Sequence, residues 1–168
     1  MKKVFIALRA LTFMAGFVLF WAWIALSVRR YDPSLGMVLP PWTRTPGIFL
    51  MAIGAALAMF CVGTFIAIGR GTPAPFDPPK EFVAAGPYRY VRNPMYIGAL
   101  LVFTGLALYQ RSFSILLFSL AWLAIINLFV IYYEEPTLGR KFGTKYQEYC
   151  RAVPRWIPNL RPIPSREA

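Results

Sequence analysis

The chain contains no histidine. That excludes histidine metal sites, Ser-His-Asp triads and histidine general bases. Cysteine is scarce too. Cys61 and Cys150 lie far apart and form no CxxC pair, so neither a structural disulfide nor a four-ligand zinc site is expected, and no metal is assigned. Charged residues are only 15% of the 168, where a soluble domain carries about 25%. Acids number 7 against 18 Lys and Arg, which leaves a net charge of +11. The Gly-x-Gly-x-x-Gly fingerprint of a dinucleotide fold is missing, as is the soluble length to build one.

What is present in excess is apolar. Hydrophobic residues make up 58% and aromatics 17%, and they fall in long uncharged runs, the mark of an integral membrane protein. The expected fold is all-α, with about four transmembrane helices in a single domain. Residues 1–68 hold two N-terminal spans, Ala10 to Val28 and Gly47 to Ile68. The glycines and alanines of the second span suit close helix packing in lipid. Residues 69–93 form a polar loop in which Thr72 to Pro79 is too rich in proline for regular helix. Residues 94–133 give a helical hairpin, Pro94 to Gln110 and Phe113 to Tyr133, around the turn Gln110-Arg111-Ser112. Asn127, deep in the fourth span, calls for a hydrogen bond from a neighbouring helix. Residues 134–168 form a basic tail. There Leu138, Phe142, Tyr146 and Tyr149 recur on one face of an amphipathic helix that lies on the membrane or the helix ends.

Charge orients the chain. With four crossings and an internal start, one side holds fourteen basic residues and the other holds Arg29, Arg30, Arg44 and Arg111. The positive-inside rule then places both termini in the cytoplasm, at the inner membrane if the source is bacterial. The basic excess points to membrane lipids and not to nucleic acid.

One polar stretch organises the rest: Gly86 to Gly98, reading Gly-Pro-Tyr-Arg-Tyr-Val-Arg-Asn-Pro-Met-Tyr-Ile-Gly. Asn93 is a good helix cap and Pro94 a good first helical residue. The amides of that helix start, with Arg89 and Arg92, make an anion site at a membrane surface. The plain alternative is a loop that starts a helix and anchors in headgroups. Glu134 and Glu135 end the fourth span, an unfavourable place for acids by the dipole rule. The short turn brings them to the start of the third span. Anion binders and cation binders then share one site. It suits a zwitterion with extra positive charge, or else is an Arg–Glu cluster that ties two helix ends together.

Gly86-Pro87-Tyr88-Arg89, Arg92-Asn93-Pro94-Met95-Tyr96-Ile97-Gly98, Glu134-Glu135-Pro136, Phe142-Gly143, Tyr146, Tyr149 and Val153-Pro154-Arg155 together resemble the isoprenylcysteine carboxyl methyltransferase and phospholipid methyltransferase superfamily. Many members carry histidine where this chain has Asn93. The resemblance implies an integral-membrane methyltransferase using S-adenosylmethionine, whose carboxylate, ammonium and sulfonium match the zwitterion above. It implies a cofactor site of Tyr88, Arg92, Asn93, Pro94, Tyr96, Gly98, Glu134 and Glu135, with Gly98 admitting the adenosyl group close to the helix backbone. The acceptor is expected to be lipid-like. A carboxylate is favoured, because it needs no general base; an amine or hydroxyl would need Glu134 or Glu135 as proton acceptor. Arg140, Arg151 or Arg155 would hold a substrate carboxylate or, individually, a lipid phosphate. A phospholipid amine methyltransferase and a non-enzymatic membrane subunit of the same fold are the alternatives.

Overall fold

A computed structural model of the chain describes residues 2–69 and 82–161. The proline-rich loop at 72–79, with Lys80 and Glu81, lies outside the described residues, as does the end of the tail. The described residues are helical without strands; a single bridge pairs Val38 with Ser112. Helix α1 is Lys2–Val28, and a short α2 is Asp32–Leu35. Helix α3, Arg44–Thr64, passes into a π turn at Phe65–Gly69. Helix α4 is Pro94–Gln110, and α5 is Phe113–Phe129 followed by a π turn at Val130–Glu134. Helices α6, Glu135–Phe142, and α7, Thr144–Ala152, complete the chain. Two described stretches are long and apolar enough to cross a bilayer, Pro41–Ile68 and Phe113–Phe142, and α4 is a shorter apolar helix.

Glycine brings α3 and α4 together as antiparallel neighbours. A Cβ on Gly54 would lie 2.5 Å from the Gly98 carbonyl, and one on Gly47 would lie 2.7 Å from the Gly105 carbonyl. Both pairs are seven residues apart, two helical turns, so backbone meets backbone twice on one face. Gly98 is therefore closely approached by α3. That contact accounts for the glycine through packing.

Aromatic packing fixes α5 against α4 and α1. Trp122 is fully buried among Phe103, Ile126 and Val130, with Trp21 and Tyr96 against the same cluster. The Trp122 ring meets Phe103 edge-on at 5.1 Å and Tyr96 at 6.3 Å. The α4–α5 turn needs Arg111 at φ 57, a left-handed conformation that few side chains adopt. Leu39 holds it there, donating its amide to the Arg111 carbonyl and accepting from Arg111 Nε at 2.8 Å.

Two expectations are corrected. Glu134 and Glu135 do not end a helix, because the chain stays helical from Phe113 to Phe142. The fall in hydropathy after Tyr133 marks a change of surroundings, while the π turn admits Pro136 at the start of α6 without breaking the rod. The dipole conflict at these acids therefore does not arise. The tail is also two helices, parted at Gly143 with φ 58. Its apolar face is covered by protein: Tyr146, Tyr149 and Val153 are buried together with Phe82, Leu138 and Phe142 packed on them.

Candidate functional site

The cleft forms where three elements end. The turn Gly86–Arg89 delivers Tyr88, the approach to α4 delivers Arg92 and Asn93, and the π turn of α5 delivers Val130 and Glu134. The π turn of α3 adds Phe65, and α6 and α7 add Glu135, Leu138, Phe142, Tyr146 and Tyr149. The space between them is about 480 Å³ when the open solvent at its mouth is included. Apolar rings form one wall and charged groups the other.

Glu135 is the hub of the charged wall. Arg155 grips it with Nε on Oε1 at 2.8 Å and Nη2 on Oε2 at 2.9 Å, the bidentate fork that carboxylates prefer. That bond to Glu135 raises the Arg155 pKa further, against the opposing effect of burial. Arg92 Nη1 lies 2.9 Å from the same Oε1, and Arg92 and Glu135 are only 14% and 18% exposed at their side chains. Arg92 also points Nη1 at the Cys150 sulfur, 3.0 Å away. Its Nε is buried without a hydrogen-bond partner, an orphan donor beside the cleft. Glu134 turns the other way and accepts from the Tyr96 hydroxyl at 2.9 Å. The two acids are thus separated by partner, one phenol and two guanidinium groups.

Buried phenols hold the remaining wall. Tyr149 donates its hydroxyl to the Tyr88 carbonyl at 2.7 Å. Burial pushes the Tyr88, Tyr146 and Tyr149 hydroxyls above the ordinary range, so all three stay protonated at neutral pH.

Of the residues singled out by sequence, Tyr88, Arg92, Asn93, Glu134 and Glu135 line the cleft together. Tyr96 and Arg155 reach it through Glu134 and Glu135. Pro94 starts α4 as expected. Asn93 is corrected: its side chain makes no cap, and Nδ2 donates to the Arg155 carbonyl at 3.2 Å. Its φ of −119 and ψ of 49 fit this turn. Gly98 faces α3. Arg140 lies outside the cleft, with Nη2 3.3 Å from the Thr137 hydroxyl.

Sequence reading missed the strap at 153–159. It runs across the start of α4, where Arg92 N donates to the Pro154 carbonyl at 2.9 Å and Asn159 N donates to the Tyr90 carbonyl at 2.8 Å. Trp156 Nε1 donates to Asn127 Oδ1 at 2.8 Å, so the half-buried amide of α5 finds its partner in the strap and not on a neighbouring helix. The prolines Pro154 and Pro158 were the available signal: they forbid helix and keep this stretch extended.

Comparison with known proteins agrees with the segment that carries the cleft. The chain is 41% identical over 73 residues to methanethiol S-methyltransferase 2 of Bradyrhizobium diazoefficiens, covering 44% of this chain and 27% of that protein. It is 28% identical over 155 residues to methanethiol S-methyltransferase of Crocosphaera subtropica, covering 86% of this chain and 57% of that protein. The chain thus matches about a quarter of the length of the first relative and little more than half of the second. No solved structure matches it. Residues 42–145, which include Arg92, Asn93, Glu134 and Glu135, match the family model described as phospholipid methyltransferase, and the chain belongs to that family.

Proposed function

We propose that this chain is an S-adenosylmethionine-dependent methyltransferase of the membrane, with its cofactor's amino-acid end in the cleft between Arg92 and Glu135. The observation that carries the reading is the orphan Nε of Arg92 beside a carboxylate shared by two guanidinium groups. A bound carboxylate would take the free donor, and an ammonium would take part of Glu135. The cofactor supplies a methyl group on a sulfonium, a leaving system that needs no acid. The protein's part is to align the nucleophile and keep water out. Phe65, Phe82, Leu138 and Phe142 supply the apolar cover.

The acceptor we propose is a small thiol. The named activity of both relatives supports it. So does Arg155, one of three arginines expected to hold a substrate carboxylate, which is already gripped at both Nε and Nη2 by Glu135. A thiol must lose its proton, and Glu134, bonded to Tyr96, is the acceptor beside the cleft. A carboxylate of a lipid or lipid-modified substrate would need no such base and is the second reading. The purified protein in detergent, given labelled cofactor with methanethiol in one arm and membrane lipid extract in the other, separates them. Labelled dimethyl sulfide supports the thiol; a base-labile methyl ester in the lipid arm supports the carboxylate; no labelled product in either arm overturns methyl transfer.

The membrane frame goes with this reading: one domain, four spans, both termini cytoplasmic and the cleft on the cytoplasmic side. Reporter fusions at Thr45 and at the C-terminus should then report opposite sides of the membrane.

A further inference from the structure

We propose that Trp156 and Asn127 form a latch that holds the 153–159 strap across the start of α4 and so positions Arg155 on Glu135; this rests on the reading of the cleft as a cofactor site. An amide within an apolar span is costly unless it is paired. Indole is a donor only, so the Asn127 oxygen must face Trp156. The bond measures 2.8 Å and joins positions 29 apart in sequence. Asn127 stands eight residues before Glu135 on one continuous helical rod, about 12 Å along its axis. Neighbouring strap residues therefore seize that rod at two levels: Trp156 inside the bundle and Arg155 at the cleft.

The strap also binds the other helix of the site. Its Pro154 carbonyl accepts from the Arg92 amide, and its Arg155 carbonyl accepts from Asn93. One extended segment, whose innermost fixed point is the indole, thus ties Arg92 and Glu135 together. The Trp156 ring packs against the Trp122 cluster, so the ring supplies contact and the N–H supplies direction. Trp156 and Asn127 are positioning residues that act through Arg155 and Glu135.

The test uses Trp156→Phe, which keeps a ring and removes the donor, and Asn127→Leu, which removes the acceptor. Hydrogen exchange is read at the Arg92 and Asn159 amides, which bond along the strap, and at the Leu39 and Ser114 amides of the opposite end. Cofactor affinity is read by calorimetry on the same full-length samples. Either variant should speed exchange at Arg92 and Asn159 and weaken the cofactor, each by about three- to tenfold, and the double variant should add little. Leu39 and Ser114 should not change. Unchanged exchange at Arg92 and Asn159 overturns the latch. Faster exchange at both ends of the bundle makes the bond a general stabiliser and overturns the positioning role, as does a loosened strap with unaltered affinity. A wild-type protein that binds no cofactor overturns the functional reading instead, and the exchange measurements still decide the latch.

Discussion

At one end of the bundle, α5 begins at Ser112, whose hydroxyl accepts from the Ile115 amide at 3.1 Å, while Asp32 accepts from the Ser114 amide at 2.9 Å. At the other end, α4 begins at Asn93 with no side-chain cap. The first end matches polar groups to backbone: the Thr43 hydroxyl lies 2.8 and 2.9 Å from the Pro40 and Leu108 carbonyls, and Arg111 serves the Leu39 carbonyl. The second end pairs charged side chains with one another, through Arg92, Glu135 and Arg155. A side chain that satisfies a buried backbone group cannot leave without cost. An arginine that shares a carboxylate can exchange it for a ligand of the same chemistry. Similar residue types make a staple at one end and a site at the other.

The largest effect should come from Glu135→Gln. It leaves two guanidinium groups facing one another with no carboxylate between them. Losing one partner of a largely buried ion pair should cost on the order of 3 kcal/mol in stability. Cofactor affinity should fall at least tenfold. Chemical denaturation and calorimetry check both. A variant with wild-type affinity would make this end a staple like the other and erase the contrast.

Next comes the pair Tyr96→Phe and Thr43→Val. Tyr96→Phe removes the hydroxyl that meets Glu134; a hydrogen bond to a charged group is worth about 1.5–3 kcal/mol. We expect at least a tenfold fall in turnover. Thr43→Val removes a buried hydroxyl between two carbonyls at the far end. It should cost about 1–2 kcal/mol in stability and leave turnover unchanged. Steady-state kinetics beside thermal melts tests the pair. Equal kinetic losses would show that the two ends are not functionally distinct.

Much of this contrast is legible in the sequence. Pro94 and the Gln110-Arg111-Ser112 turn bound α4 as expected. The juxtaposition of Arg92 with Glu135 follows from one short turn between two antiparallel spans. The Asn93 side chain is not legible. Asn is among the best caps, yet its amide is drawn to the Arg155 carbonyl, a tertiary contact that overrides local propensity. The strap's course is not legible either: Pro154 and Pro158 announce only that helix stops, and an extended segment carries no period that would name its partners. Continuity of helix past Glu135 escapes because hydropathy reports surroundings, whereas the rod is held by Leu138 and Phe142 packing beside Phe82 and Tyr146. Gly47 and Gly54 of α3 are read correctly as packing residues, whose partners on α4 emerge only from the register; a Cβ on Gly63 would meet nothing within 4 Å.

A finer comparison is Ser112→Ala against Asn93→Ala. Each should cost about 1 kcal/mol. The reasons differ: Ser112 loses a cap, and Asn93 loses its hold on the strap. Only Asn93→Ala should weaken the cofactor, by a few-fold. Melting temperatures alone will not tell the two apart, and calorimetry will. A cofactor effect from Ser112→Ala would break the separation of the two ends.

The smallest effect concerns acid. Burial alone would raise the Asp32 carboxyl, but the hydrogen bond from the Ser114 amide, with the Ser112 and Ser114 hydroxyls and Arg29 nearby, leaves it below its ordinary value. The start of α5 favours the same negative charge. A carboxyl lowered by folding adds stability that is present above its unfolded pKa, about 3.9. That stability is lost as pH falls through the folded value, because the unfolded chain takes up the proton first. Asp32→Asn should therefore flatten the acid side of the stability profile below about pH 4. Near neutrality it should cost only the charged part of the bond to Ser114. Turnover should keep the wild-type pH profile throughout, since Asp32 caps the far end. Melting temperature and turnover measured across the same pH series decide it: if turnover moves with Asp32, the two ends are coupled through α5, and the distinction between staple and site fails.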